Sequence, residues 1–114
     1  MTPARGEHAQ RHGPPLDDFF EAMADSHRRY VLYYFRENDD VASIDDLLPF
    51  VLAHDSERSD RDLIRTRLHH VTLPKLAECG FLEYDPRSGT ARYRDDHRFG
   101  DCIDHSAWTE FRST

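Results

Sequence analysis

The sequence predicts one mainly α-helical domain closed by a β-hairpin, the winged form of the helix-turn-helix architecture. Three observations carry that prediction. Apolar residues recur at intervals of three and four in four successive segments ahead of Gly80. After Gly80, "FLEYD" and "TARYR" alternate apolar and polar residues around the turn "PRSG". With 114 residues, 38% hydrophobic and 11% aromatic, the chain suits one domain with a single modest core.

Taken in order, residues 1–15 mix Pro, Gly, His, Gln and charge without periodicity and are expected to form a mobile tail. From Leu16, the positions Leu16, Phe19, Phe20, Met23 and Ala24 predict a first amphipathic helix, with Asp17 and Asp18 in a first turn that favours negative charge. Asp25 or Ser26 can cap a second helix, "HRRYVLYYFREN", with Tyr30, Val31, Tyr34 and Phe35 as its stripe. "NDDVAS" breaks it. Ser43 then caps a third helix with Asp46 in the place of a capping-box glutamate, and Leu47, Leu48, Val51 and Leu52 form its apolar face. Pro49 is expected to kink that helix mildly or delay its start. "HDSERSD" is a polar link that ends in Ser59 or Asp60, either of which can cap the next helix.

The fourth helix runs from about Asp60 to Cys79 and stops at Gly80, which suits the C′ position. The hairpin follows, with Gly89 supplying a positive φ, Leu82, Tyr84, Ala91 and Tyr93 inward, and Glu83, Arg92 and Arg94 in water. A two-stranded hairpin is marginal alone, and three packed helices supply the surface it needs. The domain is thus placed at residues 16–94, and residues 95–114 form a C-terminal segment with a short helix expected.

Pro74 falls inside the fourth helix, where it removes one hydrogen bond and clashes with the carbonyl of His70, at about 3 kcal/mol. On an ideal helix Ile64, Leu68 and Val71 share one side, whereas Leu73, Leu76 and Ala77 lie near the opposite side. A break or kink near Thr72 resolves both difficulties, with Thr72 as a local cap, Pro74 in a new first turn, and Ile64 and Leu68 turned outward. The other reading is a curved helix buried on both sides.

Two long stretches, "LDDFFEAMADSHRRYVLYYF" and "LHHVTLPKLAECGFLEYDPRSGTARYR", resemble a group of small winged-helix domains from haloarchaea and, more distantly, the ArsR-like regulators. The likeness spans about residues 16–94. It implies DNA binding, core roles for Leu73, Leu76 and Cys79, and a DNA-facing surface at or beside His70, Val71, Thr72 and Lys75. The sequence departs from the ArsR pattern at Pro74, where a basic residue is common, and in lacking a metal-sensing cysteine box.

Composition bears on the same question. The chain carries 15 basic and 22 acidic residues, net −7, and a single lysine, Lys75. Acidity with little lysine suits a high-salt cytoplasm, in which carboxylates keep the surface hydrated; a GC-rich genome also favours arginine. An acidic total argues against nucleic acid. However, residues 60–94 carry seven basic and five acidic side chains and are the only positive stretch.

As a reader of double-stranded DNA, the fourth helix would offer Arg61, Arg65, Arg67 and Lys75 to phosphates and His70 and Thr72 to base edges, with Arg87 and Arg92 or Arg94 on the wing. A solvated surface is the alternative for each arginine, and a winged-helix module that binds protein rather than DNA is the alternative function. A homodimer is the expected assembly, through Ile64 and Leu68 or through a C-terminal stripe of Ile103, Ala107 and Phe111 with Trp108 beside it. That stripe can instead pack on the domain's own first helix.

No catalytic residue, cofactor or metal is expected. Adjacent His69 and His70 point about 100° apart, and neither HExxH nor C-x2-C spacing occurs. Cys79 and Cys102 are expected as reduced thiols. The absence of a long apolar run and of a signal-like N-terminus leads to a cytoplasmic protein without a membrane partner as the expectation.

Overall fold

The computed structural model describes residues 13–112. Two helices, α1 (Leu16–Met23) and α2 (Ser26–Glu37), lead into a short strand β1 (Val41–Ser43) and a third helix, α3 (Ile44–His54). A long helical stretch follows in three parts: α4 (Arg61–Arg67), a π-helical turn (Leu68–Thr72) and α5 (Leu73–Glu78). Strands β2 (Leu82–Asp85) and β3 (Thr90–Tyr93) form the hairpin, and α6 (Gly100–Arg112) ends the described chain. The protein is mainly helical with a small antiparallel sheet.

That sheet has three strands in the order β1-β3-β2, not the two expected. Val41, Ala42 and Ser43 pair with Arg92, Ala91 and Thr90, so "VAS" adds an edge to the hairpin before it caps α3. Three residues are too few for an alternating pattern to be read. The predicted inward set holds: Leu82, Ala91 and Tyr93 are buried, Tyr84 is half-buried, and Glu83, Arg92 and Arg94 are exposed.

The caps follow local chemistry. Asp25 accepts from the Arg28 amide, and Asp60 accepts from the amides of Asp62 and Leu63. Ser43 and Asp46 form a reciprocal capping box, which holds the start of α3 at Ile44 although Pro49 lies inside the helix. At Gly80, φ is +92°. Its amide donates to Ala77 and the Phe81 amide donates to Leu76, the paired bonds of a Schellman stop. Pro14 is buried against Gly80, so packing onto the domain already includes residues ahead of α1; residues 1–12 of the expected tail lie outside the described residues.

Helix α2 is the centre of the core, with His27, Tyr30, Val31, Leu32, Tyr33 and Phe35 all buried. It is covered on more sides than its predicted stripe because α1, α3 and α6 all pack on it. Helix α1 turns Phe19 and Ala22 inward, with Phe19 stacked on Phe99 at 4.5 Å, and leaves Leu16 and Phe20 exposed, a rotation of the expected face. A buried pair ties the start of α2 to the end of α3: His27 Nε2 lies 3.2 Å from Asp55 Oδ1. Burial alone would raise the Asp55 carboxyl, but the Ser59 amide and the His27 ring outweigh it and hold the group below its ordinary value.

The expected break at Thr72 does not occur. Thr72 has helical dihedrals (φ −68°, ψ −54°) and no capping bond, and the chain continues through a turn in which the Leu73 amide reaches back five residues to the Leu68 carbonyl. In a regular α-helix Leu68 and Leu73 would point about 140° apart. One extra residue in the turn stacks them instead, so Ile64, Leu68, Thr72, Leu73 and Leu76 are all buried. Pro74 sits in the first turn of α5, where its missing N–H is tolerated. The expected outward patch is therefore corrected: Ile64 and Leu68 are fully buried, with α4 packed on α3.

The C-terminal stripe is also consumed internally. Helix α6 lies along α2, with Ile103 buried and Ala107 and Phe111 packed against the core. Two arginines of α2 clamp it: Arg29 with Glu110 at 2.8 and 2.9 Å, and Arg36 with Asp104 at 2.8 Å through both nitrogens. Between them the Tyr33 hydroxyl donates to Glu110 and meets Ser106 Oγ at 2.7 Å, and burial pushes its pKa up to about 12. Of the apolar residues expected to carry a dimer contact, only Trp108 stays exposed, at 57%.

Two predictions follow from this packing. Thr72→Arg forces a charge into the core and is expected to lower stability by about 3 kcal/mol or more, whereas His70→Arg changes it by about 0.5 kcal/mol or less. Urea denaturation of both variants checks this, and wild-type stability in Thr72→Arg would place Thr72 at the surface. The Glu110 and Asp104 carboxyls are held below their ordinary values by Arg29 and Arg36. Their contribution is present above the ordinary carboxylate range and is lost as pH falls through the lowered values, so α6 should loosen in acid. Trp108, the one tryptophan, reports it by fluorescence. Glu110→Gln should shrink the acid-dependent part of the change, and an unaltered acid profile would show that the clamp plays no part.

Candidate nucleic-acid interface

The π turn decides which side chains of the long helix reach solvent. Arg61, Leu63, Arg65, Thr66, Arg67, His70, Val71 and Pro74 are exposed, while the intervening apolar residues face the core. Arg65 and His69, and Thr66 and His70, are four residues apart and therefore share neighbouring rows on the helix surface. Across from them stands the β2–β3 turn.

Between helix and turn lies a groove of about 420 Å³ lined by Arg65, Thr66, His69, His70, Arg87, Ser88 and Gly89, with Ile44 at its floor. Its walls are tied together, because His69 Nδ1 is hydrogen-bonded to the Tyr84 hydroxyl. Burial, with a smaller contribution from Asp85, raises the Tyr84 phenol, which stays neutral and able to donate or accept. The turn itself is shaped by Asp85, whose carboxylate accepts from the Arg87 amide at 3.0 Å and the Ser88 hydroxyl at 3.2 Å. Gly89 completes it with φ +69°.

Thr72 apart, the residues expected to meet DNA divide into four groups. Arg65, His70 and Arg87 come together in the groove. Arg61 and Arg67 are exposed on α4 and make no ion pair among the described residues. Lys75 is half-buried at the far end, 3.5 Å from Glu21 and 3.4 Å from Glu78, and these partners raise its pKa, the Glu78 hydrogen bond foremost. Arg92 stands on the outer sheet face opposite Glu83, and Arg94 pairs with Asp96 at 3.4 Å, so neither lines the groove.

Thr72 is the clear correction. It is 2% exposed and cannot read a base edge, because the extra residue of the π turn rotates it inward beside Leu73. Three groove residues with polar side chains were missing from the expected set: Thr66, His69 and Ser88. The four-residue spacing from Arg65 to His69 and from Thr66 to His70 was the available signal. Ser88 could have been read from its place in a tight "DPRSG" turn.

Fold and site together define a class: a small α+β domain, mainly helical, whose three-stranded antiparallel sheet sets a hairpin turn beside a long exposed helix. The chain belongs to the family described as a domain of unknown function, DUF7344, whose model matches residues 20–92. That span runs from α1 to β3 and leaves α6 beyond it. No curated protein and no solved structure matches the chain. No helix among the described residues is long and apolar enough to cross a membrane.

Proposed function

We propose that this chain is a winged-helix DNA-binding transcriptional regulator, with the long helix as the element presented to the duplex and the β2–β3 turn as its wing. The observation that carries the reading is the groove in which Arg65, His70 and Arg87, from helix and hairpin, converge. Arg61, Arg67 and Arg87 are exposed and without ion-pair partners among the described residues, so they can be given to phosphates without first breaking an internal pair. The exposed Val71 and the neighbouring Pro74 offer apolar contact of the kind a thymine methyl accepts.

The resemblance to haloarchaeal and ArsR-like domains points the same way, and the acidic remainder of the surface suits a salty cytoplasm. Binding as a homodimer would need a contact surface other than Ile64 and Leu68. A second reading, a protein-interaction module, is favoured by the net charge of −7 and by Leu63 and Val71, exposed at 50% and 53% on the same helix.

Fluorescence anisotropy of a labelled duplex over a salt series separates the two. Affinity should fall linearly in log–log form with salt, and Arg67→Ala and Arg87→Ala should each weaken binding to all sequences and flatten the slope by about one. No binding even at low salt would favour the protein-interaction reading, and unchanged slopes would remove these two arginines from the contact.

A further inference from the structure

The fixed charges around the groove nearly cancel. Arg65 is ion-paired with Asp45, and Arg87 projects from a turn whose base carries the Asp85 carboxylate. Two guanidinium groups are thus set against two carboxylates. A phosphodiester entering the groove would gain little net attraction from these four groups alone.

The remaining titratable groups in the lining are His69 and His70, with ring centroids 4.2 Å apart. Histidine is the side chain whose charge ordinarily changes between about pH 5 and 8. We propose that this groove is a phosphodiester-binding site whose net charge is set by His69 and His70, so that duplex DNA is held more tightly as pH falls. The inference rests on the DNA-binding reading for its ligand, and on the groove's own chemistry for its charge.

Tyr84 suits both states of the site. Its hydroxyl can donate to a neutral His69 ring or accept from a charged one, so the tie between helix and hairpin survives protonation. Other charged groups also bear on the pair. Arg65 lies on the same helix, its partner Asp45 comes from α3, and Arg87 comes from the turn, beside Asp85. On its other side His70 shares a shallow surface depression with Arg28 of α2 and with Lys75 and Glu78 of α5.

The test compares duplex affinity at about pH 8 and about pH 6 in constant salt. Wild type should bind about tenfold more tightly at the lower pH, as expected for one linked proton, and His69→Gln/His70→Gln should vary by about twofold or less. Tyr84→Phe cuts the tie without altering the groove's charge and should keep the pH dependence. Inorganic phosphate provides a readout independent of DNA. Followed by NMR, it should raise the apparent pKa of the His69 and His70 rings and leave half-buried His97, outside the groove, unmoved. DNA binding that is equal at both pH values, or equally pH-dependent in the double histidine variant, overturns the inference and leaves the DNA-binding reading standing. Loss of the effect in Tyr84→Phe overturns it in favour of a structural tie. Absence of DNA binding with the phosphate response intact supports the anion site and removes the DNA reading. If phosphate leaves both rings unmoved, the site itself is refuted.

Discussion

The helix between Asp60 and Gly80 must bury two apolar sets that a regular α-helix would send in different directions. Ile64 and Leu68 belong to one set, Leu73 and Leu76 to the other, and all four are fully buried. The single residue inserted by the π turn at Leu68–Thr72 reconciles them. Much of the remaining architecture depends on that adjustment. It keeps the helix continuous past Pro74, holds its first half against α3, and delivers its second half to the Schellman stop that launches β2. It also sets which side chains are left outside, since His70 and Val71 face solvent only because Thr72 and Leu73 face inward.

A second constraint is the coverage of α2. A helix with six buried residues out of twelve needs neighbours on several sides, and in this small domain α6 supplies the last of them. The contact combines Ile103 and Phe111 with the Arg29–Glu110 and Arg36–Asp104 pairs and the Tyr33 hydroxyl. Partly exposed ion pairs stabilise weakly in general, but these are bidentate, which adds geometric specificity. Apolar burial supplies the affinity of the helix for its site, and the charged pairs set its register along α2. The family match ends before α6, so this chain completes its core with an element beyond the matched region.

The groove between helix and hairpin brings together groups from distant parts of the sequence. Arg65 and Asp45 are twenty residues apart, and His69 reaches Tyr84 across fifteen. Each segment looks ordinary alone: a cationic helix, a capped turn and a half-buried tyrosine. Joined, they make a polar cleft in which cations, carboxylates and imidazoles are close to balance.

Local chemistry was legible in the residues themselves. Ser43 and Asp46 define a capping box, Asp25 and Asp60 cap their helices, Gly80 stops one and Gly89 closes a turn, because each acts on backbone groups within a few positions. Alternation gave the hairpin its correct inward face for the same reason. The site was legible only in part. Arg65, His70 and Arg87 were identifiable by type and position, but the burial of Thr72, the engagement of Lys75 by Glu21 and Glu78, and the entry of His69 were not. The three-residue strand Val41–Ser43 exists only through its pairing with β3, and the internal docking of α6 only through the open side of α2. Above all, residue spacing shows that the two apolar sets around Pro74 conflict, but not whether the chain breaks or inserts a residue to satisfy both. The core decides that, because a continuous helix with one wide turn buries Ile64, Leu68, Leu73 and Leu76 together and leaves few backbone groups unpaired.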